Sequence, residues 1–331
     1  MKKSYFLFPV LVFLFSVQSC TDHDIDPTPE PQSLSSETIF SELKSPIGIA
    51  VDDKGNIWVT EAGTGNNNTD GSVSMITPSG NKTTFVTGLL SVTNAGEGSI
   101  EGISHLFYHD GKLYFLHGVN GTLYKADVSS FKSGDPAVNL ADIPSEDVGT
   151  YIRSLALTSP LNSNAFDLTL GPEGHLYIVD AGSNAIIKKD KDTGKLSLFA
   201  HFPDAATKVD AVPTGIVYDG SKLLVSSLTG FPFTPSSAKI FEVDKDGTVN
   251  VYKDKFTTLT GITLSANGKP IVIQHGVFGA MGFGAKSGKV LDENGNILLD
   301  NVSRPTGIVR AGDRLFYLLS YTDGTISKLT Y

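Results

Sequence analysis

The chain has 331 residues and a formal net charge of −9, and only 18% of its residues are charged. It contains 34 glycines and 16 prolines, a composition that favours short strands and many turns over long charged helices. The acidic charge argues against nucleic acid as a partner and against binding to anionic lipid by charge.

The N-terminus has the pattern of an export signal. Lys2 and Lys3 precede an apolar run over residues 5–17, which is too short to span a bilayer comfortably. We therefore predict a signal peptide over residues 1–19. The run ends in Val17-Gln18-Ser19-Cys20, which resembles a bacterial lipobox, and Cys20 is the only cysteine of the chain. Lipidation of Cys20 is expected to hold the protein on a membrane; an ordinary signal followed by a chance cysteine is the alternative.

Residues 20–36 lack apolar periodicity and are predicted to form the lipidated cysteine and a solvated tether with a reach of about 50 Å. Asp22, Asp24 and Asp26 are similar to an export signal of surface-displayed lipoproteins, and a plain charged linker explains them equally well. We expect an envelope lipoprotein, attached to the outer membrane and either periplasmic or surface-exposed.

Residues 37–331 contain six copies of one pattern, in which an apolar strand, a glycine turn and a second apolar strand follow one another. The copies cover residues 49–59, 103–115, 168–179, 216–225, 262–273 and 308–317. A repeat of about 50 residues with strand-type alternation is typical of a β-propeller with four strands in each blade. The sequence therefore predicts an all-β fold, a single six-bladed propeller of antiparallel blades.

The residue before each first strand is glycine in five of the six copies, which indicates that backbones approach closely around an axis. These positions are Gly48, Gly102, Asp167, Gly215, Gly261 and Gly307. Further glycine turns at 77–81, 192–195, 244–248 and 292–296 join the outer strands, and although several resemble fragments of calcium loops, they are expected to be ordinary hairpin turns.

The ring is expected to close with its first strand. The last copy stops after a third strand at residues 326–331, and one spare strand at residues 38–43 precedes the first copy. The N-terminal strand should complete the last blade and thereby remove an exposed sheet edge.

The long insertions fall on one face of the predicted ring. Turns between strands 1 and 2 and between strands 3 and 4 are short, whereas the other connections contain the insertions 61–71, 90–100, 142–165, 228–237 and 275–287. Such an asymmetry predicts that the long-loop face binds a ligand.

Two of these insertions are rich in phenylalanine on a Gly/Pro frame. Phe231 and Phe233 come from one blade, and Phe278 and Phe283 come from the next. They are candidates for an apolar pocket wall, and packing of the two loops against each other is the alternative.

Polar residues at the ends of the second strands should converge on the same face. They are Glu61, His117, Asp180, Ser227, Gln274 with His275, and Ser320. Histidines and carboxylates are able to bind a metal or to act in acid–base chemistry, but each residue alone also fits a role in orienting its loop. Asp180 in particular is placed to hold its loop through backbone N–H groups.

Two families resemble this pattern. The segment Leu176-Tyr177-Ile178-Val179-Asp180-Ala181-Gly182-Ser183-Asn184 is similar to an NHL-type repeat. The strings Ser45-Pro46-Ile47-Gly48-Ile49-Ala50 and Leu228-Thr229-Gly230-Phe231-Pro232-Phe233 resemble the ScyD/ScyE family of secreted propellers. That resemblance implies a six-bladed ring and an extracellular role, and it carries no catalytic residues to this chain.

The second resemblance is to the metal-dependent lactonases of the SMP-30/gluconolactonase family. Glu101-Gly102-Ile103 is similar to the Glu-Gly motif whose glutamate binds the metal there. The other positions of this kind read Thr214-Gly215, Thr260-Gly261 and Thr306-Gly307, so that one carboxylate remains as a weak candidate metal ligand.

Two functions follow from the sequence. The first is a non-catalytic module without a cofactor, which binds a small molecule, a glycan or a protein on the long-loop face. The alternative is a metal-dependent hydrolase of the lactonase type, which would use Glu101 and a divalent cation together with Asp180 or His117.

Overall fold

The computed structural model describes residues 1–3, 28–96 and 98–331. The apolar run at 5–17, Cys20 and the aspartates at 22, 24 and 26 lie outside the described residues, so their roles stay predictions. In the described part of the chain no helix has the length and apolar character needed to cross a membrane.

The fold is a six-bladed β-propeller, as predicted, and each blade is a four-stranded antiparallel sheet. Strand β1 spans Ser35–Phe40. Blade 1 contains β2 (Pro46–Val51), β3 (Ile57–Glu61), β4 (Asn68–Ile76) and β5 (Lys82–Thr93), to which the short β6 (Ile100–Glu101) pairs. Blade 2 contains β7 (Ile103–His109), β8 (Lys112–His117), β9 (Thr122–Asp127) and β10 (Ser145–Asp147), followed by helix α1 (Val148–Ser154). Blade 3 contains β11 (Ala165–Leu170), β12 (Leu176–Asp180), β13 (Ala185–Lys189) and β14 (Leu196–His201).

The second half of the chain repeats this arrangement. Blade 4 contains β15 (Pro213–Tyr218), β16 (Leu223–Ser227), β17 (Ala238–Val243) and β18 (Val249–Phe256). Blade 5 contains β19 (Leu259–Leu264), β20 (Pro270–Gln274), β23 (Gly288–Asp292) and β24 (Ile297–Val302), with the hairpin β21 (Phe278–Gly279) and β22 (Gly282–Phe283) inserted after β20. Blade 6 contains β25 (Pro305–Gly312), β26 (Leu315–Ser320) and β27 (Thr325–Thr330).

Strand β1 closes the ring, which confirms the predicted closure. It pairs antiparallel with β27, and Phe40 lies opposite Ile326. The strand runs over Ser35–Phe40 and not over the predicted 38–43, because Glu42 has a left-handed backbone (φ 72°) that ends the extended conformation. With β1 in place, the last sheet has its fourth strand.

The inner strands crowd together at the glycines. A Cβ atom added to Gly48 would lie 2.6 Å from the Cα of His105 in the next blade, and one added to Gly215 would lie 2.8 Å from the Cα of Gly261. The glycines are therefore required by the close approach of neighbouring first strands.

Apolar side chains fill the spaces between and within the blades. In blade 1, Trp58 is fully buried and its ring lies 5.6 Å from that of Phe85 and 5.9 Å from that of Phe131. Phe131 belongs to the segment that follows β9, so this cluster joins the first two blades.

Two predicted insertions contain more regular structure than expected. The loop predicted at 90–100 is partly strand, because β5 continues to Thr93 and pairs with β6. The loop predicted at 142–165 contains β10 and α1. The helix begins at Val148 because the Asp147 carboxylate accepts a hydrogen bond from the Thr150 amide (2.8 Å) and caps it.

Candidate functional site

A cavity of about 450 Å³ opens on the long-loop face, at the end of the ring where the inner strands begin. Residues from all six blades line it. The lining includes Glu101 at the end of β6, Phe166 near the start of β11, the threonines Thr214, Thr260 and Thr306, residues of the loop 228–233, His275, residues of the hairpin β21–β22, Arg304 and Tyr321. Four of the five predicted insertions contribute lining residues, namely 90–100, 142–165, 228–237 and 275–287, whereas the insertion 61–71 contributes none.

A belt of threonine hydroxyls forms the floor of this cavity. Thr214 donates to the carbonyl of Leu259 (2.9 Å), Thr260 donates to Pro305 (2.8 Å), and the Thr306 hydroxyl donates to Pro46 (2.8 Å) in the first blade. Each hydroxyl thus links an inner strand to the next one around the ring. The lactonase resemblance would require metal ligands at these three positions. The threonines found there instead connect neighbouring inner strands.

His105 crosses the centre of the ring below the cavity. Its Nδ1 lies 3.1 Å from the carbonyl oxygen of Phe166 in blade 3, and its Nε2 lies 3.0 Å from that of Thr306 in blade 6. The side chain is 6% exposed. Carbonyl oxygens only accept hydrogen bonds, so a ring nitrogen that carries hydrogen donates to the carbonyl that it faces.

Asp167 supports the same region from blade 3. Its carboxylate accepts hydrogen bonds from the amides of Leu168 (2.8 Å) and Ile216 (3.0 Å). Burial raises the pKa of Asp167, and the His105 charge and these two amides oppose that rise. Sequence reasoning did not select His105 or Asp167 as site residues, although Asp167 stands where the other five copies have glycine and was visible as an exception.

Four phenylalanines form a continuous aromatic wall on one side of the cavity. The ring of Phe233 lies 5.0 Å from Phe278 and 5.3 Å from Phe283, and the ring of Phe231 lies 6.0 Å from Phe278. Phe233 is 4% exposed and Phe231 is 73% exposed. The wall therefore has a buried base, which packs the two loops together, and an exposed rim, so both roles considered for these residues are present.

The loop that carries Phe231 and Phe233 has a strained backbone at Thr229. This residue has φ 76°, a left-handed conformation that is uncommon for a β-branched side chain. Its hydroxyl is buried without a hydrogen-bond partner in the described part of the chain, and the residue lines the cavity. Backbone strain and buried polar groups without a hydrogen-bond partner occur most often at functional sites, where the surrounding structure stabilises them.

His275 and Arg304 lie at the foot of the aromatic wall. The His275 ring stands edge-on to Phe283, with centroids 4.8 Å apart. Arg304 donates from Nη2 to the Phe283 carbonyl (3.0 Å), and its guanidinium carbon lies 5.9 Å from the Phe283 ring centroid. Burial lowers the pKa of His275 to about 4, the contact with the Pro305 carbonyl opposes this, and the Arg304 charge adds to it. Arg304 is therefore a fixed cation beside a neutral histidine at neutral pH.

Glu101 belongs to the segment that joins blades 1 and 2, away from the aromatic wall in the ring. Its Oε1 accepts a hydrogen bond from the side-chain amide nitrogen of Asn94 (2.6 Å). The adjacent Ile100 amide donates to the hydroxyl oxygen of Tyr321 (2.7 Å), which joins this segment to blade 6. The cavity thus has an acidic and amide-rich side as well as an aromatic side.

Glu61 and His117 are used inside the framework. The Glu61 carboxylate is 2% exposed, accepts from the Lys44 amide (2.9 Å) and pairs with the Lys82 ammonium (2.5 Å). His117 is fully buried, and its Nε2 lies 2.9 Å from the Leu90 carbonyl oxygen. Burial lowers the pKa of His117. Neither side chain lines the cavity among the described residues.

Asp180 and Ser227 have the same kind of role. The Asp180 carboxylate accepts hydrogen bonds from the Ser163 hydroxyl (2.8 Å) and the Ser183 amide (2.7 Å), and burial raises its pKa against these contacts. The Ser227 hydroxyl oxygen accepts from the Lys239 amide (3.0 Å). Asp180 holds its loop through a backbone N–H group, as the alternative interpretation of its sequence suggests. Gln274 and Ser320, also considered above, donate to the carbonyls of Ser287 and Ser303.

The residues of the cavity do not fit a metal ion. Across residues 28–96 and 98–331, no three His, Cys, Asp or Glu side chains are grouped so that they could hold one. Glu101 has Asn94 as its hydrogen-bond donor, and the threonines of the floor donate to backbone carbonyls. Two carboxylates line the cavity, Glu101 and Asp210, and the Asp210 carboxylate accepts a hydrogen bond from the Asn184 side chain (2.9 Å). Two carboxylates that belong to no larger group of ligands bind a divalent cation weakly, so we derive no metal-dependent step from this site.

Comparisons with known proteins agree on the fold. A virginiamycin B lyase from Staphylococcus aureus is 17% identical with a TM-score of 0.53, and the alignment covers 90% of this chain and 99% of that one. A catalytically inactive form of the same lyase, at 18% identity and a TM-score of 0.51 over the same shares of the two chains, was solved with quinupristin.

Two further neighbours have the same architecture. A proposed gluconolactonase is 12% identical with a TM-score of 0.56, over 92% of this chain and 94% of that one. A luciferin-regenerating enzyme is 12% identical with a TM-score of 0.56, over 90% and 96%. Likeness at this identity shows the propeller fold alone. No model of a protein family matches the sequence, and neither does any curated protein.

Proposed function

We propose that the protein is a binding module, and that the cavity on its long-loop face binds a small amphipathic molecule. The observation that carries this proposal is the aromatic wall of Phe231, Phe233, Phe278 and Phe283 on one side of a cavity of about 450 Å³. Cavities of this size enclose small organic ligands, and they combine an apolar lining with a few polar groups that orient the ligand.

The polar groups define the chemistry of the ligand further. Arg304 provides a cation at the foot of the wall, where a planar anionic group would be held next to an aromatic surface. Glu101 and Asn94 provide hydrogen-bonding groups on another side of the opening. We therefore propose a ligand with an aromatic or apolar body, an acidic group near Arg304 and hydrogen-bonding groups at its other end.

The same wall supports kinship with the ScyD/ScyE family, which we propose here. The string at 228–233 is the most specific part of that resemblance, and it forms the exposed rim and the buried base of the wall at Phe231 and Phe233. A lyase with this fold was solved with quinupristin, so the fold accommodates an organic ligand of that kind in a related protein.

The anilinonaphthalene sulfonate dye is a suitable probe, because it joins an aromatic body to one anionic group. We expect its fluorescence to increase on binding to the native protein, and Phe231→Ala to weaken binding about tenfold, since a desolvated aromatic contact contributes about 1–1.5 kcal/mol. Phe231 is 73% exposed, so the melting temperature should change little. Val251→Ala, an exposed apolar position on the outer strand β18, is the matched control. Equal dye affinity in both variants would overturn the proposal.

We further propose that lipid on Cys20 anchors the protein to the bacterial envelope, most simply to the outer membrane. The support is the lipobox-like string at 17–20 and the single cysteine of the chain. Cys20→Ala should abolish incorporation of labelled palmitate, because the variant has no thiol to carry the lipid. Incorporation of labelled palmitate by the alanine variant would contradict the anchor.

Metal-assisted hydrolysis is the second candidate, and Glu101 at the cavity together with the enzymes among the structural neighbours favours it. Binding remains our proposal because the two carboxylates that line the cavity, Glu101 and Asp210, belong to no group of three metal-ligating side chains among the described residues. We expect the melting temperature to stay the same after chelation and after addition of Mg²⁺ or Ca²⁺. A shift of several degrees that Glu101→Ala abolishes would establish the hydrolase instead.

A further inference from the structure

The segment that leads into the ring is fixed to blade 5. The side-chain amide of Asn267 donates to the Thr28 carbonyl (2.7 Å) and to the Glu30 carboxylate (2.8 Å). The Ser265 hydroxyl donates to the same carboxylate oxygen of Glu30 (2.9 Å). The chain is thus held to the turn between β19 and β20 from Thr28 onwards.

The path from this turn to the first strand is also fixed. The Leu34 side chain is 6% exposed, and its amide donates to the Leu298 carbonyl (2.8 Å) at the start of β24. Strand β1 then begins at Ser35, opposite Thr330 at the end of β27.

This attachment lies at the opposite end of blade 5 from the cavity. Thr260 near the start of β19 and His275 just after β20 both line the cavity. The turn at 265–269 joins the other ends of these two strands. A strand of six residues such as β19 is about 20 Å long, so this distance separates the attachment from the floor of the cavity.

On the premise that Cys20 carries the proposed lipid, we propose that the short-turn face of the propeller faces the bilayer and that the cavity faces away from it. The short-turn face is defined by the turns between strands 1 and 2 and between strands 3 and 4 of each blade. Thr28 follows Cys20 by eight residues, which reach at most about 28 Å. If the cavity faced the lipid, these eight residues would have to pass around the edge of blade 5 and along its whole height. That path would use most of their maximum reach before any sideways distance was covered.

This orientation gives the exposed apolar groups of the long-loop face a defined environment. Phe231 and Met281 are 73% and 98% exposed, and the proposal places them in the aqueous phase. They are then available to a dissolved ligand. The lipid surface instead lies under the charged and polar short turns, such as the one at 292–296.

Energy transfer on liposomes tests the orientation without relying on lipidation in the cell. Protein that starts at Cys20 is coupled through its single thiol to a maleimide phospholipid, and rhodamine lipids serve as acceptors. The donor dye is attached to an azidophenylalanine that replaces either Asn294, in a short turn, or Met281, in the β21–β22 hairpin of the same blade. Both positions are exposed.

We expect transfer from position 294 to be about twofold more efficient than transfer from position 281, because about 20 Å of strand separates the two faces. A variant with twenty added Gly/Ser residues between positions 27 and 28 should show a smaller difference. Equal transfer, or higher transfer from 281, would overturn the orientation. The anchor itself is tested separately with Cys20→Ala in cells, so the two proposals fail in distinguishable ways.

Discussion

The buried histidine at the centre of the ring allows a quantitative prediction about stability. His105→Leu removes the contacts of the two imidazole nitrogens with the carbonyl oxygens of Phe166 and Thr306. The two carbonyl oxygens remain buried without donors, at a cost of about 1–3 kcal/mol each, whereas the apolar leucine returns about 1–2 kcal/mol. We expect the free energy of unfolding to fall by about 1–4 kcal/mol, through loss of the contacts between blades 2, 3 and 6.

Urea unfolding measured by tryptophan fluorescence is a suitable assay. Trp58 is the only tryptophan of the chain and is fully buried in blade 1, next to the blade that carries His105. His109→Leu is the matched control, because His109 lies at the exposed end of the same strand β7. If the two variants differed from each other by less than about 0.5 kcal/mol, the cross-ring role of His105 would be refuted, since that is the ordinary spread of surface substitutions.

Three further outcomes follow from the contacts described above. Burial lowers the pKa of His275 to about 4, whereas a histidine in the unfolded chain has a pKa of about 6.5. The free energy of unfolding should therefore be highest above pH 6.5 and should fall by about 1–3 kcal/mol as the pH drops towards 4. His275→Gln should reduce that loss in melting experiments. Gly48→Ala should cost about 1–3 kcal/mol in urea unfolding, since its Cβ would meet the His105 backbone at 2.6 Å, whereas Gly279→Ala has open space and should be neutral. Deletion of residues up to 40 removes β1 and exposes the edge of β27, so size-exclusion chromatography should show aggregates, and a monodisperse monomer would contradict the closure.

The fold could be predicted from the sequence because it depends on local and repeated features. The glycine turns and the apolar alternation recur along the chain, and the spare strand at the N-terminus pairs with the last strand as predicted. The exact ends of β1 and the helix α1 were not predicted. They depend on the backbone conformation of Glu42 and on the capping hydrogen bond of Asp147, which are single-residue effects without a repeat to reveal them.

The site was only partly accessible to sequence reasoning. The phenylalanines of two neighbouring loops and His275 were selected, and the structure brings them together around one cavity. Four other candidates also stand at the ends of second strands, but their polar atoms form hydrogen bonds with the surrounding loops and strands. These residues are Glu61, His117, Asp180 and Ser227. Side-chain direction at a strand end depends on which backbone groups lack a partner in three dimensions, and the linear pattern does not contain that information.

Arg304 and Thr229 were not selected for a related reason. Arg304 is an isolated basic residue in the connection between blades 5 and 6, and its contact with Phe283 depends on the path of the β21–β22 hairpin. The strain at Thr229 is a backbone property, which a residue type alone does not indicate.

Ligand binding at the aromatic wall is tested most directly by NMR of methionine methyl groups during titration with anilinonaphthalene sulfonate. The chain has three methionines, of which Met281 is 98% exposed at the cavity hairpin and Met75 is 2% exposed in the core of blade 1. We expect the Met281 methyl resonance to shift with dye concentration while that of Met75 stays in place. An unchanged Met281 resonance at saturating dye, or equal shifts of both methyl groups, would show that the cavity is not the binding site.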